Sequence, residues 1–264
     1  MIGYGAIGQS LIQAWQAAPV RGHAVVGVLA RSHQLPAARG ELPHDVQVTA
    51  DPETFLAHAF DVVVEVAGQP AVRELGSRVL RGGADLMIMS VGALADAAVA
   101  DELLAAAQAG NARLVIPVGA IAGLDGLLAL RRAGLTQLVY ASSKPPASWR
   151  GTPADGAFEL DALTEATVVF DGSAREAALK FPKNANLAAT VALAGMGLDR
   201  TRVVLTADPH STENVQSIEA VSDVSTLRVT VSGRSEGANP KSSAVTGLSV
   251  LSALDNQAQL LVFS

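Results

Sequence analysis

The sequence contains no cysteine. Disulfides, thiolate nucleophiles and cysteine-ligated metals are therefore excluded. Lysine is scarce: Lys144, Lys180, Lys183 and Lys241 are the only ones, and arginine supplies the rest of the 19 basic residues. Three of these lysines adjoin a proline, in Lys144-Pro145, Pro182-Lys183 and Pro240-Lys241. Two readings stand side by side: chance in an arginine-biased composition, or ammonium groups kept for an acidic ligand. Charged residues are only 17% of the chain against 49% hydrophobic, which argues against disorder. The net charge of −6 argues against nucleic acid or an anionic membrane as a partner. No apolar run approaches the roughly 18 residues of a membrane span, and no signal peptide precedes residue 3, so a soluble cytoplasmic protein is expected. The sequence shows no His-x-x-x-His, clustered carboxylates or Ser-His-Asp pattern, so neither a metal nor a covalent nucleophile is expected.

At 264 residues, one large or two ordinary domains are expected. The organising stretch is Gly3-Tyr4-Gly5-Ala6-Ile7-Gly8, a G-x-G-x-x-G run ahead of Leu11, Ile12 and Trp15 at helical spacing. In a dinucleotide site the first glycine makes the tight turn, the second lets the backbone approach a pyrophosphate, and the third lets helix and strand pack closely. The anion then meets the free N–H groups of the helix start. Glycine-rich turns also occur in ordinary strand-turn-helix units, so context carries weight. Only Met1 and Ile2 precede the glycines, where about five strand residues are usual, so the first strand is either short or begins outside this sequence.

After the glycines, apolar runs alternate with helical patterns. Strands are expected at 23–30, 46–48, 61–66, 85–91 and 113–117, and helices at 53–59, 71–80 and 95–109. This alternation implies βαβ units, hence a doubly wound parallel sheet of the Rossmann type. Functional loops in such sheets follow the strand ends. That places Ala67-Gly68-Gln69, Ser90-Val91-Gly92-Ala93 and Val118-Gly119-Ala120 around a cofactor. An NAD site offers an acidic residue about 20 positions beyond the glycines. Here no acidic residue lies between Gly8 and Glu41, and Arg31-Ser32 fills the position. A guanidinium and a hydroxyl suit a 2′-phosphate, so NADP is favoured over NAD, with Arg31 as a mere surface residue the alternative.

The pattern changes after about residue 135. Strands are expected at 136–142, 166–170, 201–207 and 227–232, with 217–221 weaker, the later ones alternating as antiparallel strands do. Ser173 is expected to cap a helix to Phe181, and 184–196 to form a small-residue helix. Asn239-Pro240 reads as the start of a helix over 241–254, followed by a closing strand at 259–263. The expected arrangement is a Rossmann domain of residues 1–135 and 239–264, with a second α+β domain of residues 136–238 built on a mostly open sheet.

Six phrases span nearly the whole chain: GYGAIG at the start, SVGAL at 90–94, VGAIAGLD at 118–125, LTEATVVFDGSAREAALKFPKNANLAATVALAG at 163–195, ADPHSTENVQSIEA at 207–220 and NPKSSA at 239–244. Through them the chain resembles the L-aspartate dehydrogenases. The resemblance implies NAD(P)-dependent oxidative deamination of L-aspartate, through an imine, to oxaloacetate and ammonia, or the reverse. It implies a homodimer, with the nicotinamide half of the cofactor near Ala120 and Asn186. It also implies a catalytic histidine in an Asn-Val-His phrase, and the matching residue here is Gln216. A carboxamide forms hydrogen bonds but does not titrate near neutrality as an imidazole does.

Cofactor contacts are therefore expected from Gly3, Gly5, Ala6, Ile7, Gly8, Arg31, Ser32, Ala67, Gly68, Ser90, Val91, Gly92, Ala120, Asn186 and Lys241. Substrate carboxylates are expected on Lys183, Asn184, Ser242 and Ser243, although Asn184 and Ser242 would serve equally as helix caps. Gln216 occupies the catalytic position, with His210 or Lys183 as substitute proton carriers. Two alternatives stay open: a cofactor-binding protein with little turnover, such as a sensor or assembly subunit, and a reductase of another imine or keto acid.

Overall fold

The computed structural model describes residues 1–233, 235–236, 239–243 and 245–261, with the backbone alone for 235–236 and 239–243. The chain divides into two compact units, residues 1–119 with 246–264, and residues 120–245.

The first unit is a parallel sheet wrapped by helices. Its strands are β1 (Gly27–Leu29), β2 (Gln47–Thr49), β3 (Val62–Glu65), β4 (Asp85–Ile88) and β5 (Leu114–Val115). β1 pairs with β2, and β3 with β4 and β4 with β5, all in parallel. Ile2 joins the two halves through parallel bridges to Leu29 and to Glu65. The spatial order is therefore β2-β1-Ile2-β3-β4-β5, the order of a doubly wound dinucleotide fold. Ile2 holds the place of the first strand, secured by Ile2 N–H to Val64 O at 2.8 Å and Val66 N–H to Ile2 O at 2.9 Å. β1 is shorter than the apolar run 23–30 suggests, because only Gly27–Leu29 pair with β2, and of these only Leu29 also bridges to Ile2.

Helices α1 (Ala6–Ala17), α2 (Leu35–Glu41), α3 (Pro52–Leu56), α4 (Gln69–Arg81) and α5 (Ala97–Gly110) connect these strands. Two apolar clusters among the described residues pack this unit. One gathers Tyr4, Ile12, Val28 and Ala38; the other gathers Leu11, Val64 and Met87 with Val250, Leu251 and Leu254 of the last helix.

The second unit starts with α6 (Leu124–Ala133) and carries a mixed sheet of β6 (Leu135–Lys144), β7 (Thr167–Ser173), β8 (Arg202–Ala207), β9 (Asn214–Ser222) and β10 (Thr226–Gly233). The strand order is β10-β9-β6-β8-β7. β8 runs parallel to β6 and antiparallel to β7, so it is not simply one of an antiparallel set. Helices α7 (Pro153–Ala157), α8 (Ala174–Lys180) and α9 (Asn186–Ala194) complete the unit. α9 approaches the sheet closely: a Cβ on Gly195, just past its end, would stand 2.3 Å from Leu138 and 3.5 Å from Leu127. The same contact with Leu127 shows why α6 packs within this unit. The expected boundaries after 135 and before 239 differ from the compact units by α6 and by residues 239–245.

Near the C-terminus two expectations are corrected. Asn239-Pro240 does not cap a helix; Asn239–Ser243 (β12) pairs antiparallel with Ser235–Glu236 (β11), where a two-stranded ribbon tolerates proline. The helix α10 begins at Val245 and runs to Ala258, later than the predicted 241–254, because its buried Val250, Leu251 and Leu254 pack against Leu11. Gln259 to Leu261 form no strand, and the rest of the closing strand predicted at 259–263 lies outside the described residues.

Candidate active site

The glycine loop tests the fit of a dinucleotide directly. Gly3 has φ +106°, and a Cβ there would stand 2.8 Å from the Ala67 nitrogen. At Gly8 a Cβ would lie 2.5 Å from the Gly3 carbonyl oxygen, so this glycine is fixed by packing of α1 onto the loop. Around Gly5, by contrast, nothing lies within 4 Å of an added Cβ. Gly5 is also the N-cap of α1 and offers no side-chain cap, so no side chain of its own accepts from the first N–H groups of the helix. Ala6 and Ile7 form the first turn of that helix. Two glycines are thus constrained by the fold and one faces open space, the division of roles known for glycines of dinucleotide loops.

Beside the loop lies a cavity of about 530 Å³, lined by Gly3, Gly5, Arg31, Ser32, His33 and Ala67 among others. Arg31 and Ser32 lie at the carboxyl end of β1, as the sequence suggests, and Glu74 of α4 contributes a carboxylate to the same lining. The loop is stiffened from below. Tyr4 is fully buried, its hydroxyl donates to Glu41, and its carbonyl accepts from Gln34 Nε2 at 2.9 Å. Burial and the adjacent Glu41 carboxylate push the Tyr4 phenol above its ordinary pKa.

A residue not anticipated from sequence links the next two loops. Glu65, at the end of β3, is 1% exposed. Its Oε1 accepts from Ala67 N–H and Gly68 N–H, each at 2.7 Å. Ser90 donates to both oxygens, Oγ–H to Oε1 at 2.9 Å and N–H to Oε2 at 3.1 Å. Burial pushes this carboxyl above its ordinary pKa, and the four hydrogen bonds pull against that rise. Val91 and Gly92 follow in a buried 3₁₀ turn. An acidic residue inside the apolar run DVVVEV is the signal that was available for Glu65.

In the second unit the expected residues separate into buried and exposed. Gln216 is 2% exposed on β9, opposite Ser142 of β6 and Val231 of β10. Asn184 is 6% exposed, and its Nδ2 donates to Ser148 O at 3.1 Å. Gln216 Oε1 and Asn184 Oδ1 are both buried and accept no hydrogen bond from described residues. Lys183 is exposed, and Asn186 begins α9. Ala120 is buried at the start of the unit. His210 is exposed in the turn after β8, where its Nε2 lies 2.9 Å from Thr164 O. Lys241, Ser242 and Ser243 lie in β12, and their side chains are outside the described residues. Lys144, singled out in the sequence only by its scarcity and its proline, is buried at 5% exposure, whereas Lys180 and Lys183, the other lysines with described side chains, are exposed.

Comparison with known proteins fits this geometry. Residues 125–257 match the family model described as aspartate dehydrogenase, C-terminal, and residues 3–117 match the NAD-binding domain of homoserine dehydrogenase. The L-aspartate dehydrogenase of Cupriavidus taiwanensis is 43% identical over 262 residues, covering 98% of this chain and 96% of that protein. That of Pseudomonas aeruginosa is 46% identical over 201 residues, covering 76% of this chain and 75% of the relative. Among solved structures, aspartate dehydrogenase from Thermotoga maritima superposes with a TM-score of 0.72 at 25% identity, covering 100% of this chain and 97% of that one. With a glycine cradle shaped for a dinucleotide, a matched C-terminal domain and relatives aligned over nearly its whole length, the chain belongs to the L-aspartate dehydrogenase family.

Proposed function

We propose that this chain catalyses the NAD(P)-dependent oxidative deamination of L-aspartate, with NADP as the favoured cofactor. When bound, the nicotinamide supplies a hydride acceptor. The Cα–H bond of L-aspartate breaks with both electrons leaving as hydride, an amine proton is lost, and C=N forms. Water then adds to the imine carbon and the C–N bond breaks, giving oxaloacetate and ammonia. The observation that carries this reading is the full-length family match combined with the open space at Gly5.

On this reading Gly3, Gly5, Gly8 and the first turn at Ala6-Ile7 bind the pyrophosphate, while Ala67, Gly68, Ser90, Val91 and Gly92 line its path. Arg31 and Ser32 receive the 2′-phosphate. Support for NADP is their place in the cavity lining and the absence of an acidic residue between Gly8 and Glu41. Ala120, Asn186 and Lys241 hold the nicotinamide half. Asn184, Ser242 and Ser243 are assigned to the substrate, and Lys183, exposed next to Asn184, is left outside the site. Gln216 stands at the position where the family resemblance implies a histidine, and there it orients the reacting amine or water without titrating. A homodimer is proposed as the working form, to be read by light scattering on the purified chain.

A second reading, a cofactor-binding protein with little turnover, is favoured by that same carboxamide. NADP⁺ and NAD⁺ reduction with L-aspartate separates the two. Substrate-dependent reduction supports the dehydrogenase, whereas cofactor binding without reduction, in this chain and in Gln216→His alike, supports the second.

A further inference from the structure

We propose that Lys144 is the carboxylate anchor of the substrate site, and that the carbonyl oxygens of Gln216 and Asn184 receive the substrate's ammonium group. This rests on the reading of the chain as an amino-acid dehydrogenase, and it replaces the exposed Lys183 with a buried cation.

The argument begins with strand register. In β6 the buried positions alternate, Leu138, Tyr140, Ser142 and Lys144, so these side chains share the covered face of the sheet. Ser142 lies opposite Gln216 in the antiparallel pair, and Lys144 follows two residues on, along the same face. The row is apolar at Leu138 and turns polar at the carboxyl end of β6. A lysine at 5% exposure is exceptional, since a buried ammonium is costly unless its site provides for the charge. Its Nζ lies 6.0 Å from the ring centre of Trp149, which is fully buried and fixed by Nε1–H donating to Thr206 O at 3.2 Å.

The neighbouring residue, Ser148, ties in Asn184 through the Nδ2 bond to its carbonyl. That bond orients the Asn184 amide and leaves Oδ1 as a buried acceptor with no described donor; Gln216 Oε1 is in the same condition. A buried acceptor left open costs free energy unless a ligand supplies the proton. The set is one ammonium donor on β6 and one carbonyl acceptor on β9 along the same sheet face, with a second acceptor on Asn184, which Ser148 ties to the segment after β6, and it matches an amino acid carrying both a carboxylate and an ammonium group. Exposed Lys183 would hold a carboxylate only in water, where such pairs contribute little.

The test uses succinate, a dicarboxylate with no amine to oxidise, titrated onto the full chain with NADPH bound and followed by NADPH fluorescence. Lys144→Met is expected to weaken succinate binding by about 10- to 100-fold, the range of a charge-assisted hydrogen bond, with the NADPH Kd unchanged. Lys183→Met is expected to leave both unchanged. If Lys144→Met does not fold, the wild-type chain labelled with ¹⁵N-lysine supplies the second reading. The Nζ resonance of the buried Lys144 is expected to shift on adding succinate. Undiminished succinate binding by Lys144→Met, or an unmoved Nζ resonance at saturation, would overturn the assignment even in a chain that oxidises L-aspartate. A wild-type chain that binds no dicarboxylate overturns it together with the dehydrogenase reading.

Discussion

Glu65 holds Ser90 by both of its carboxylate oxygens, taking the hydroxyl on one and the backbone N–H on the other. Through the same side chain the loop after β3 is bound to the loop after β4, because Ala67 and Gly68 donate to Oε1 as well. One buried carboxylate therefore sets the shape of two loops that the proposed cofactor site uses.

Removing that carboxylate is expected to be costly. Glu65→Ala leaves four donors to find new partners and should lower stability by about 3 kcal/mol or more, with Glu65→Gln losing about 1–3 kcal/mol. The pH dependence has a defined sign. Burial raises the folded pKa, so the folded chain binds the proton more tightly than the unfolded chain does. The corresponding stabilisation is complete below the unfolded value of about 4.3 and is lost as pH rises through the raised folded value. Urea titrations across this window should show stability falling with pH in the wild type and a flatter profile in Glu65→Gln.

The three glycines are expected to respond differently to alanine. Gly8→Ala forces a methyl to 2.5 Å from the Gly3 carbonyl, and Gly3→Ala adds strain at positive φ, so each should lower stability by about 1–3 kcal/mol. Gly5→Ala meets no atom and should unfold with the wild type, yet weaken cofactor binding at least tenfold by filling the open space. Thermal melts paired with NADPH titrations check all three; an unaltered NADPH affinity in Gly5→Ala would count against the pyrophosphate site.

Cofactor choice is expected to follow Arg31. Arg31→Ala should raise the Kd for NADP by about 10-fold or more, the value of a charge-assisted contact, and leave that for NAD within twofold. Equal losses for the two cofactors would mean that Arg31 contacts something they share.

Placing an imidazole at 216 is expected to change the chemistry. Gln216→His should raise kcat for L-aspartate by about 10²–10⁴-fold, the usual yield of a positioned acid–base group. It should also introduce a limb in the pH–rate profile near the histidine pKa of about 6.5. A rate that rises without a new pH limb would assign position 216 to orientation alone.

Local sequence made much of this molecule legible. Ser173 caps α8 as expected, and Glu176 makes the cap reciprocal, with Glu176 N–H donating to Ser173 Oγ at 3.2 Å and Ser173 N–H to Glu176 Oε2 at 3.0 Å. The G-x-G-x-x-G spacing likewise specifies a turn whose first and third glycines are sterically required. Both features are decided by residues a few positions apart, so their physics is contained in the local sequence.

What the sequence determined by itself was the doubly wound character of the first unit, the position of its glycine loop, the cap at Ser173 and the family to which the phrases point. Each rests on a short-range period or spacing. Tertiary structure alone decided that Lys144 rather than Lys183 is buried, that Gln216 stands across from Ser142, and that Glu65 gathers Ala67, Gly68 and Ser90. It also decided that Asn239–Ser243 pairs as a strand instead of opening the last helix. These outcomes depend on which strands become neighbours and in which register. Long-range pairing sets that, and a lysine beside a proline reads the same in sequence whether its ammonium ends in water or beneath a sheet.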